Sequence, residues 1–445
     1  MIPPQPPIPE DRLERRLADA KPLYSPAEAV VEANRCLYCH DAPCIAACPT
    51  GIDVPTFIRR IGNDNLKGAA RPILSANVLG YSCARVCPVE VLCAGACVYN
   101  AWHRDPPIAI GRLQRYATES VMRAGRAGTL LSRAKPNGRR AACVGAGPAS
   151  LSCAAYLALE GFGVTIYEKR PFAGGLNTSG VAPYKMPADD ALAEVDFVRS
   201  LGVEIRTGVE VCHGPTAEAL VREFDAVFLG PGLGADTKLG VPGEDGPGVI
   251  GAVEWIERMK LGAQALIAGV RRAVVIGGGN TAIDAARELA GLGVSSVGML
   301  YRRTTKDMSG YAHELEHARL EGVVLVERAV PVRFERDASG ALSGVTLQSG
   351  ETHRCDLAVV AIGQARLRDL SECFPGVKLD SRGSLVADAR TGATGHPKVF
   401  AGGDAMRGGE LVVTAVQDGK RAARGICATL GIEIRPDSPM RAGHE

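Results

Sequence analysis

Two stretches of the chain repeat one pattern: a short unbroken apolar run, a glycine-rich turn, a helical segment and a second apolar run. The first reads AACVGAG, PASLSCAAYLALEG and VTIYEK; the second reads RRAVVIGGGN, TAIDAARELAGLG and VSSVGMLYRR. Unbroken apolar runs this short predict strands buried on both faces, as in parallel sheets, so each copy predicts a βαβ unit. From Lys21 to Gly125 the pattern changes. VPTFIRRIG and NLKGAARPILSANVLG space their apolar residues at helical intervals without strand alternation, which predicts a small helical region. The polar, Gly/Arg-rich AGRAGTLLSRAKPNGRR predicts a linker to the first strand. Further on, LAVVAIGQ and KVFAGGDA are short apolar strands ending in glycine turns, predicted to return the chain to the first sheet. The predicted class is α/β: a helical domain over 1–135, a first Rossmann-like unit over 136–250 and 364–445, and a second inserted over 251–363.

Composition narrows the function. With 46% hydrophobic and 22% charged residues over 445 positions, the chain is an ordinary multi-domain globular protein. Its 51 basic and 49 acidic residues leave a net charge of +2, no basis for a nucleic-acid or anionic-membrane partner. No apolar run approaches the ~20 residues of a membrane helix, and the start, MIPPQPPIPEDRLERRLADA, lacks a signal-peptide core, so a cytoplasmic location is expected. Fourteen cysteines in a reducing compartment argue for metal ligation before disulfides.

Eight of them fall between residues 36 and 97: Cys36-x2-Cys39-x4-Cys44-x3-Cys48-Pro49, then Cys83-x3-Cys87-Pro88-x5-Cys93-x3-Cys97. Such spacing lets a loop wrap several thiolates around a cubane, and a cysteine before proline often serves the other cluster of a pair. The motif predicts two [4Fe-4S] clusters, structural zinc being the lesser reading. The x4 gap sets it apart from bacterial ferredoxins. The six scattered cysteines read as buried small residues with no redox pair among them.

Gly145-Ala146-Gly147-Pro148-Ala149-Ser150 ends the first strand and opens a helix, with Glu168 at the end of the next strand. Glycine there lets backbone N–H groups approach a pyrophosphate, and the carboxylate can take ribose hydroxyls. Gly174-Gly175-Leu176 and the late Gly402-Gly403-Asp404 complete a pairing expected of flavoproteins that bind two dinucleotides, with Asp404 against the ribityl chain of FAD. Gly277-Gly278-Gly279-Asn280-Thr281-Ala282 marks a second site, for NADH or NADPH, and Ala361, Ile362 and Gly363 are further candidate cofactor-binding residues. Arg302 and Arg303, where an acidic residue would favour NAD, lean toward a 2′-phosphate. His313-Glu314-Leu315-Glu316-His317 fits a zinc-protease motif, but it has no third ligand and reads as a surface helix.

The stretches CLYCHDAPCIAACPTGIDVPTFI, GAARPILSANVLGYSCARVCP, PIAIGRLQRYA, GAGPASLSCA, GGLNTSGVAPYKMP and GGGNTAIDAARE resemble the NAD(P)H-oxidising FAD/iron-sulfur subunits of bacterial dihydropyrimidine dehydrogenase. The likeness extends to the N-terminal half of the animal enzyme and to the glutamate synthase small subunit. It implies one cluster on Cys36, Cys39, Cys44 and Cys97 and a second on Cys48, Cys87, Cys93 and Gln114, with Cys83 unliganded and Lys185 at the cofactor. Gln114 tilts the likeness toward the pyrimidine enzyme, since the glutamate synthase subunit usually has Glu there. The resemblance implies that NAD(P)H is oxidised through FAD and two clusters for a partner subunit, carrying FMN and further clusters, that reduces uracil and thymine, the whole being a heterotetramer. No stretch of about 250 residues is left here for a substrate barrel. The alternative is a glutamate synthase small subunit or a related electron-transfer flavoprotein. A non-catalytic scaffold is disfavoured, as is a thiol-disulfide reductase, since no C-x-x-C lies near either glycine-rich turn.

Overall fold

The computed structural model describes residues 6–102, 106–262 and 264–444; part of the loop NAWHRDPP lies outside the described residues. The first region is helical throughout: α1 (Pro26–Asn34), α2 (Pro43–Ala46), α3 (Val54–Gly62), α4 (Leu66–Ala76), α5 (Gly80–Val86), α6 (Val98–Ala101) and α7 (Ile110–Arg123). Caps set the starts. Ser25 and Glu28 form a capping box on α1, Asp53 accepts from Thr56 N on α3, and Asn65 accepts from Gly68 N on α4. The apolar faces meet at Phe57, Ile58, Ile61, Ile73 and Leu113, all essentially inaccessible.

The first sheet-bearing unit runs β1 (Arg140–Val144), α8 (Pro148–Leu159), β2 (Gly163–Glu168), α9 (Leu176–Ser179), α10 (Ala188–Ser200), β3 (Val203–Thr207), α11 (Ala217–Glu223) and β4 (Ala226–Leu229). The second holds β5 (Val249–Gly251), α12 (Ala252–Leu261), β6 (Arg272–Ile276), α13 (Asn280–Gly291), β7 (Ser296–Tyr301), α14 (Ala312–Leu320) and β8 (Val324–Glu327). An antiparallel sheet follows from β9 (Pro331–Arg336), β10 (Leu342–Leu347) and β11 (Thr352–Arg354), then β12 (Leu357–Val360), α15 (Arg368–Glu372), β13 (Val399–Ala401), α16 (Asp404–Arg407) and α17 (Val412–Thr429). The two parallel sheets have orders β13-β4-β1-β2-β3 and β5-β12-β6-β7-β8. In each, strand order reverses beside the strand that feeds the glycine-rich turn, which is where open α/β sheets bind ligands.

Two sequence expectations need correction. LAVVAIGQ does not return to the first sheet: β12 pairs with β6 and β5, and β13 alone makes the return. Four buried apolar residues fit a parallel sheet of either unit, so their pattern carries no address. Nor are all six scattered cysteines isolated. Cys143, Cys153, Cys355 and Cys427 are buried, but Cys212 and Cys373 are bonded as a disulfide with Cα atoms 6.2 Å apart. They stand 161 residues apart in sequence and meet only because the chain returns after the insertion.

A strap at the N-terminus ties the units together. Leu13 is buried in the core of the second sheet unit with Trp255 and Leu289. Arg12 pairs with Glu14 and with Asp189 of α10 (2.8 Å), and Glu14 accepts from Ala188 N (3.0 Å). Peptide mapping of the unfolded, alkylated protein is expected to find one Cys212–Cys373 cross-linked pair without reductant and none with it. Two separately alkylated peptides under both conditions would refute the pairing.

Candidate active site

One large cleft lies between the two parallel-sheet units and reaches the helical region. The first unit contributes Gly145, Ala146, Gly147, Pro148, Ala149, Glu168, Gly175, Leu176, Lys185, Gly403 and Asp404; the second contributes Asn280, Thr281, Asp284, Tyr311 and Glu314. Cys87, Pro88 and Glu90 of the helical region form part of the wall. Among the expected site residues, Ser150, Gly174, Gly279, Ala282, Arg302, Arg303, Ala361, Ile362 and Gly363 do not line this cleft. Ser150 is buried behind the turn, its Oγ 3.4 Å from Gly230 O, and a Cβ on Gly230 would strike it. Arg302 and Arg303 are exposed just beyond β7, Arg303 over the Tyr301 ring.

The backbone of the first turn is held by the carboxylate opposite. Glu168 accepts from Ala146 N (2.7 Å) and Arg170 N (2.8 Å); burial nevertheless pushes its pKa above the ordinary value. Asp404 accepts from Glu410 N (3.0 Å) and is also raised by burial. Asp418, buried in α17, accepts from Gly403 N (3.1 Å) and pairs with Arg407 (2.7 Å), so a charge pair fixes that turn. The N-terminus of α17 opens on the cleft at Leu411 and Val412 without a side-chain cap, leaving its amides and dipole for an anionic or carbonyl partner.

Glycine positions show where a ligand rather than the protein requires the missing side chain. Gly145 has φ +87° and a Cβ there would meet the backbone of Gly230 and Pro231, so the fold alone explains it. Gly147 has φ −79°, and its Cβ would come no nearer than 3.9 Å to any atom. Gly279 is alike, with φ −92° and Ser309 Oγ nearest at 3.5 Å. Both sit at the N-cap of a helix, in a cradle a Cβ would fill, which fits a pyrophosphate in each turn. Asn177 adds a buried Oδ1 without a partner in the wall of the same cleft.

Across the cleft, Lys185 meets Asp284 and Glu314, both at 2.8 Å, and Tyr184 donates to Asp284 (2.6 Å). Burial lowers the lysine pKa, but the two carboxylates outweigh it and leave it raised. Glu314 pairs also with Arg287 (2.6 Å). The His313–His317 helix is α14: His317 is exposed, His313 stacks on Tyr311 and reaches Glu90 at 3.6 Å, and Glu314 is spent on cations.

The cysteines fall into two neighbourhoods. Cys36, Cys39, Cys44 and Cys97 line one apolar recess with Leu37, Val54, Ile58 and Ile110. Cys87 lies among Cys83, Cys48 and Cys93, and accepts or donates a thiol hydrogen bond with Cys83. Burial pushes Cys44 and Cys93 up to about 12, so thiolates form in these places only with a cation to bind them, which suits iron. Gln114, buried on α7, donates from Nε2 to Gly80 O (2.7 Å) at the start of α5, the helix that ends next to Cys87.

Comparison with known proteins agrees with this arrangement. Residues 13–126 match the family described as dihydropyrimidine dehydrogenase domain II, 4Fe-4S cluster, and residues 139–419 match pyridine nucleotide-disulphide oxidoreductase. The chain is 36% identical to the NAD-dependent dihydropyrimidine dehydrogenase subunit PreT of Escherichia coli O157:H7, over 92% of this chain and 96% of that one. It is 30% identical to the glutamate synthase [NADPH] small chain of Escherichia coli K12, over 94% and 95%. The chain belongs to the PreT-type pyridine nucleotide oxidoreductases. Thioredoxin reductase of T. acidophilum shares the fold of the two sheet units, with a TM-score of 0.53 and 26% identity over 65% of this chain and 98% of that one. A PreT-type chain is an NAD(P)H-dependent oxidoreductase that uses FAD and 4Fe-4S iron–sulfur. No helix among the described residues is long and apolar enough to cross a membrane.

Sequence reasoning missed Asn177, Asp284, Glu314 and the α17 terminus, and it missed the seam behind them. Glu194 of α10 accepts from Tyr81 N (3.0 Å), Ser82 N (3.1 Å) and the Ser82 hydroxyl at the start of α5, and Asn177 Nδ2 donates to that same hydroxyl (3.0 Å). Burial pushes Glu194 up to about 7 against the pull of those bonds. The folded chain therefore keeps a proton there between about pH 4.5 and 7 that the unfolded chain releases. Its contribution to stability is full below 4.5 and is lost as pH rises through 7. Thermal melts from pH 5 to 8 are expected to fall more steeply for wild type than for Glu194→Gln; parallel curves would mean the carboxyl is already ionised. Gly279→Ala is expected to keep flavin and fold while raising the half-saturating NAD(P)H concentration about tenfold, measured by flavin bleaching. An unchanged value would show that the second turn holds no pyrophosphate.

Proposed function

We propose that this chain is the electron-input subunit of a dihydropyrimidine dehydrogenase: it oxidises NAD(P)H and passes electrons to a partner subunit that reduces uracil and thymine. The observation that carries the reading is the continuous cleft that joins the glycine turn of the first sheet unit, Asn280 and Thr281 at the start of α13 in the second, and Cys87 of the helical region. The pairing with a pyrimidine-reducing partner rests on likeness to PreT, named as a subunit of such an enzyme. An FMN/iron-sulfur partner, a heterotetrameric assembly and a cytoplasmic location belong to the same proposal, as does the division into units at 1–135, 136–250 with 364–445, and 251–363.

In this reading Gly145 to Ala149 with Gly175 and Leu176 hold the FAD pyrophosphate, Glu168 its ribose, and Gly403 and Asp404 the ribityl side, with Ser150 and Gly174 supporting the turns from behind. Gly279 to Ala282 hold the nucleotide of NAD(P)H, Arg302 and Arg303 its adenosine end, and Ala361 to Gly363 the far side of the second site. Two [4Fe-4S] clusters are held by Cys36, Cys39, Cys44 and Cys97, and by Cys48, Cys87, Cys93 and Gln114. When bound, flavin and clusters together supply the exchange between a hydride and single electrons. The chain's own part is geometric and electrostatic. Lys185, held between Asp284 and Glu314, places a cation at the junction of the two units, and apolar side chains surround Cys36, Cys39, Cys44 and Cys97.

Anaerobic mixing with NADH and with NADPH is expected to bleach the flavin, with uracil consumed only when the FMN subunit is added. Bleaching without uracil loss in either case would favour the glutamate synthase small-chain reading. For the ligand set, Gln114→Ala is expected to alter one cluster's paramagnetic signal while Cys83→Ala leaves the iron content unchanged. Loss of four irons in the Cys83 variant would make Cys83 the ligand.

A further inference from the structure

Lys260, at the end of α12, is fully buried and is not part of the cleft wall. Its Nζ donates to three backbone carbonyls, Asn177 O at 2.8 Å, Val181 O at 3.0 Å and Met186 O at 2.8 Å. An ammonium has three hydrogens, and all three are used on one segment of the other sheet unit. That segment, 176–186, carries Leu176, Asn177, Gly180 and Lys185 in the cleft wall. Its opposite side faces the inserted unit a second time, where Tyr184 and Lys185 meet Asp284 of α13 and Lys185 meets Glu314 of α14. The segment is thus gripped from behind by a cation and from the front by two carboxylates, all three supplied by the same unit.

The charged groups facing Lys260 are Glu14 of the strap, Glu288 of α13, Asp190 of α10 and Arg85 of α5. Glu288 is engaged by Trp255 Nε1 (2.8 Å), and Arg85 by Asp19 and Asp190. A buried ammonium is costly unless its hydrogen bonds are all made, and apolar side chains of similar length commonly serve packing as well or better. A packing role alone gives no reason for a lysine at this position.

We infer that Lys260 is a positioning residue for hydride transfer, fixing segment 176–186 and the inserted unit in one relative orientation, with Lys185 facing Asn280, Thr281 and Asp284. The inference rests on the function proposed above and names no new contact with substrate. The orientation is set by directional bonds to carbonyls, so removing the ammonium while keeping the volume changes distance and angle across the cleft and leaves each half-site intact.

The test uses the full chain with its flavin and clusters, as wild type, Lys260→Met and Lys260→Gln. Flavin bleaching is followed anaerobically over a range of NADH concentrations, together with the long-wavelength absorbance of stacked nicotinamide and flavin. Dithionite, which needs no docking, is the reference reductant. Lys260→Met is expected to retain FAD and iron, to lose about tenfold or more in limiting bleaching rate, and to lose most of the long-wavelength band. Its half-saturating NADH is expected to stay within about threefold and its dithionite reduction to match wild type, with Lys260→Gln in between because it keeps two donors. A limiting rate and band like those of wild type would overturn the inference. Should Lys260→Met fail to fold, Lys260→Gln decides by the same two readings. Wild-type protein that neither holds FAD nor is bleached by NADH would overturn the function proposed above, and this inference with it.

Discussion

Charge buried at the seams between units is the constraint on which the rest of the arrangement depends. A cleft shared by two sheet units is useful only if they keep a fixed orientation, and apolar packing alone is poorly directional. Here each seam carries ionisable groups whose burial is tolerable in one geometry only. Glu194 joins the first sheet unit to the start of α5, and Lys260 joins the inserted unit to segment 176–186. Lys420 of α17, lowered to about 7 by burial, donates to Ala76 O at the end of α4 (3.1 Å). In each case a side chain from one unit meets backbone of another, so sliding by even part of a residue would strand a buried polar group.

The same seams connect the wall of the cleft to the cysteines of the helical region. The cleft that holds the first glycine turn and the start of α13 also includes Cys87 in its wall, whose neighbours are Cys48, Cys83 and Cys93. The other thiol group, with Cys36 and Cys97, lines a recess together with α3 and the start of α7. Glu194 ties the helix that ends at Cys87 to α10, and Asn177 in the cleft wall shares the same serine hydroxyl. The wall of the cleft and the helix that ends at Cys87 are therefore joined by one hydrogen-bonded chain.

Much of the site was legible because glycine and cysteine carry their chemistry in their spacing. The turns at Gly145 and Gly277 announce themselves as strand, turn and helix, and eight cysteines in a short helical stretch have few other uses. What stayed hidden was whatever depends on partners far away in sequence. Lys260 and Glu194 sit in helices whose polar residues resemble solvated faces, and only the packing of a second unit turns those faces inward. Glu314 was concealed inside a motif that suggests zinc, yet its partners are Lys185 and Arg287. Cys212 and Cys373 gave no local signal, and the four residues of β12 could have served either sheet.

The strap around Leu13 bears on how such a chain is made. Leu13 is synthesised well before its pocket, which is built from Trp255, Leu289 and their neighbours in the inserted unit, and Asp189 and Ala188 lie between. At ribosomal rates of roughly 5–20 residues per second, the segment must wait on the order of half a minute for its binding site to emerge. A segment made before its partners thus docks only after them, and its docking ties α10 of one sheet unit to α12 and α13 of the other.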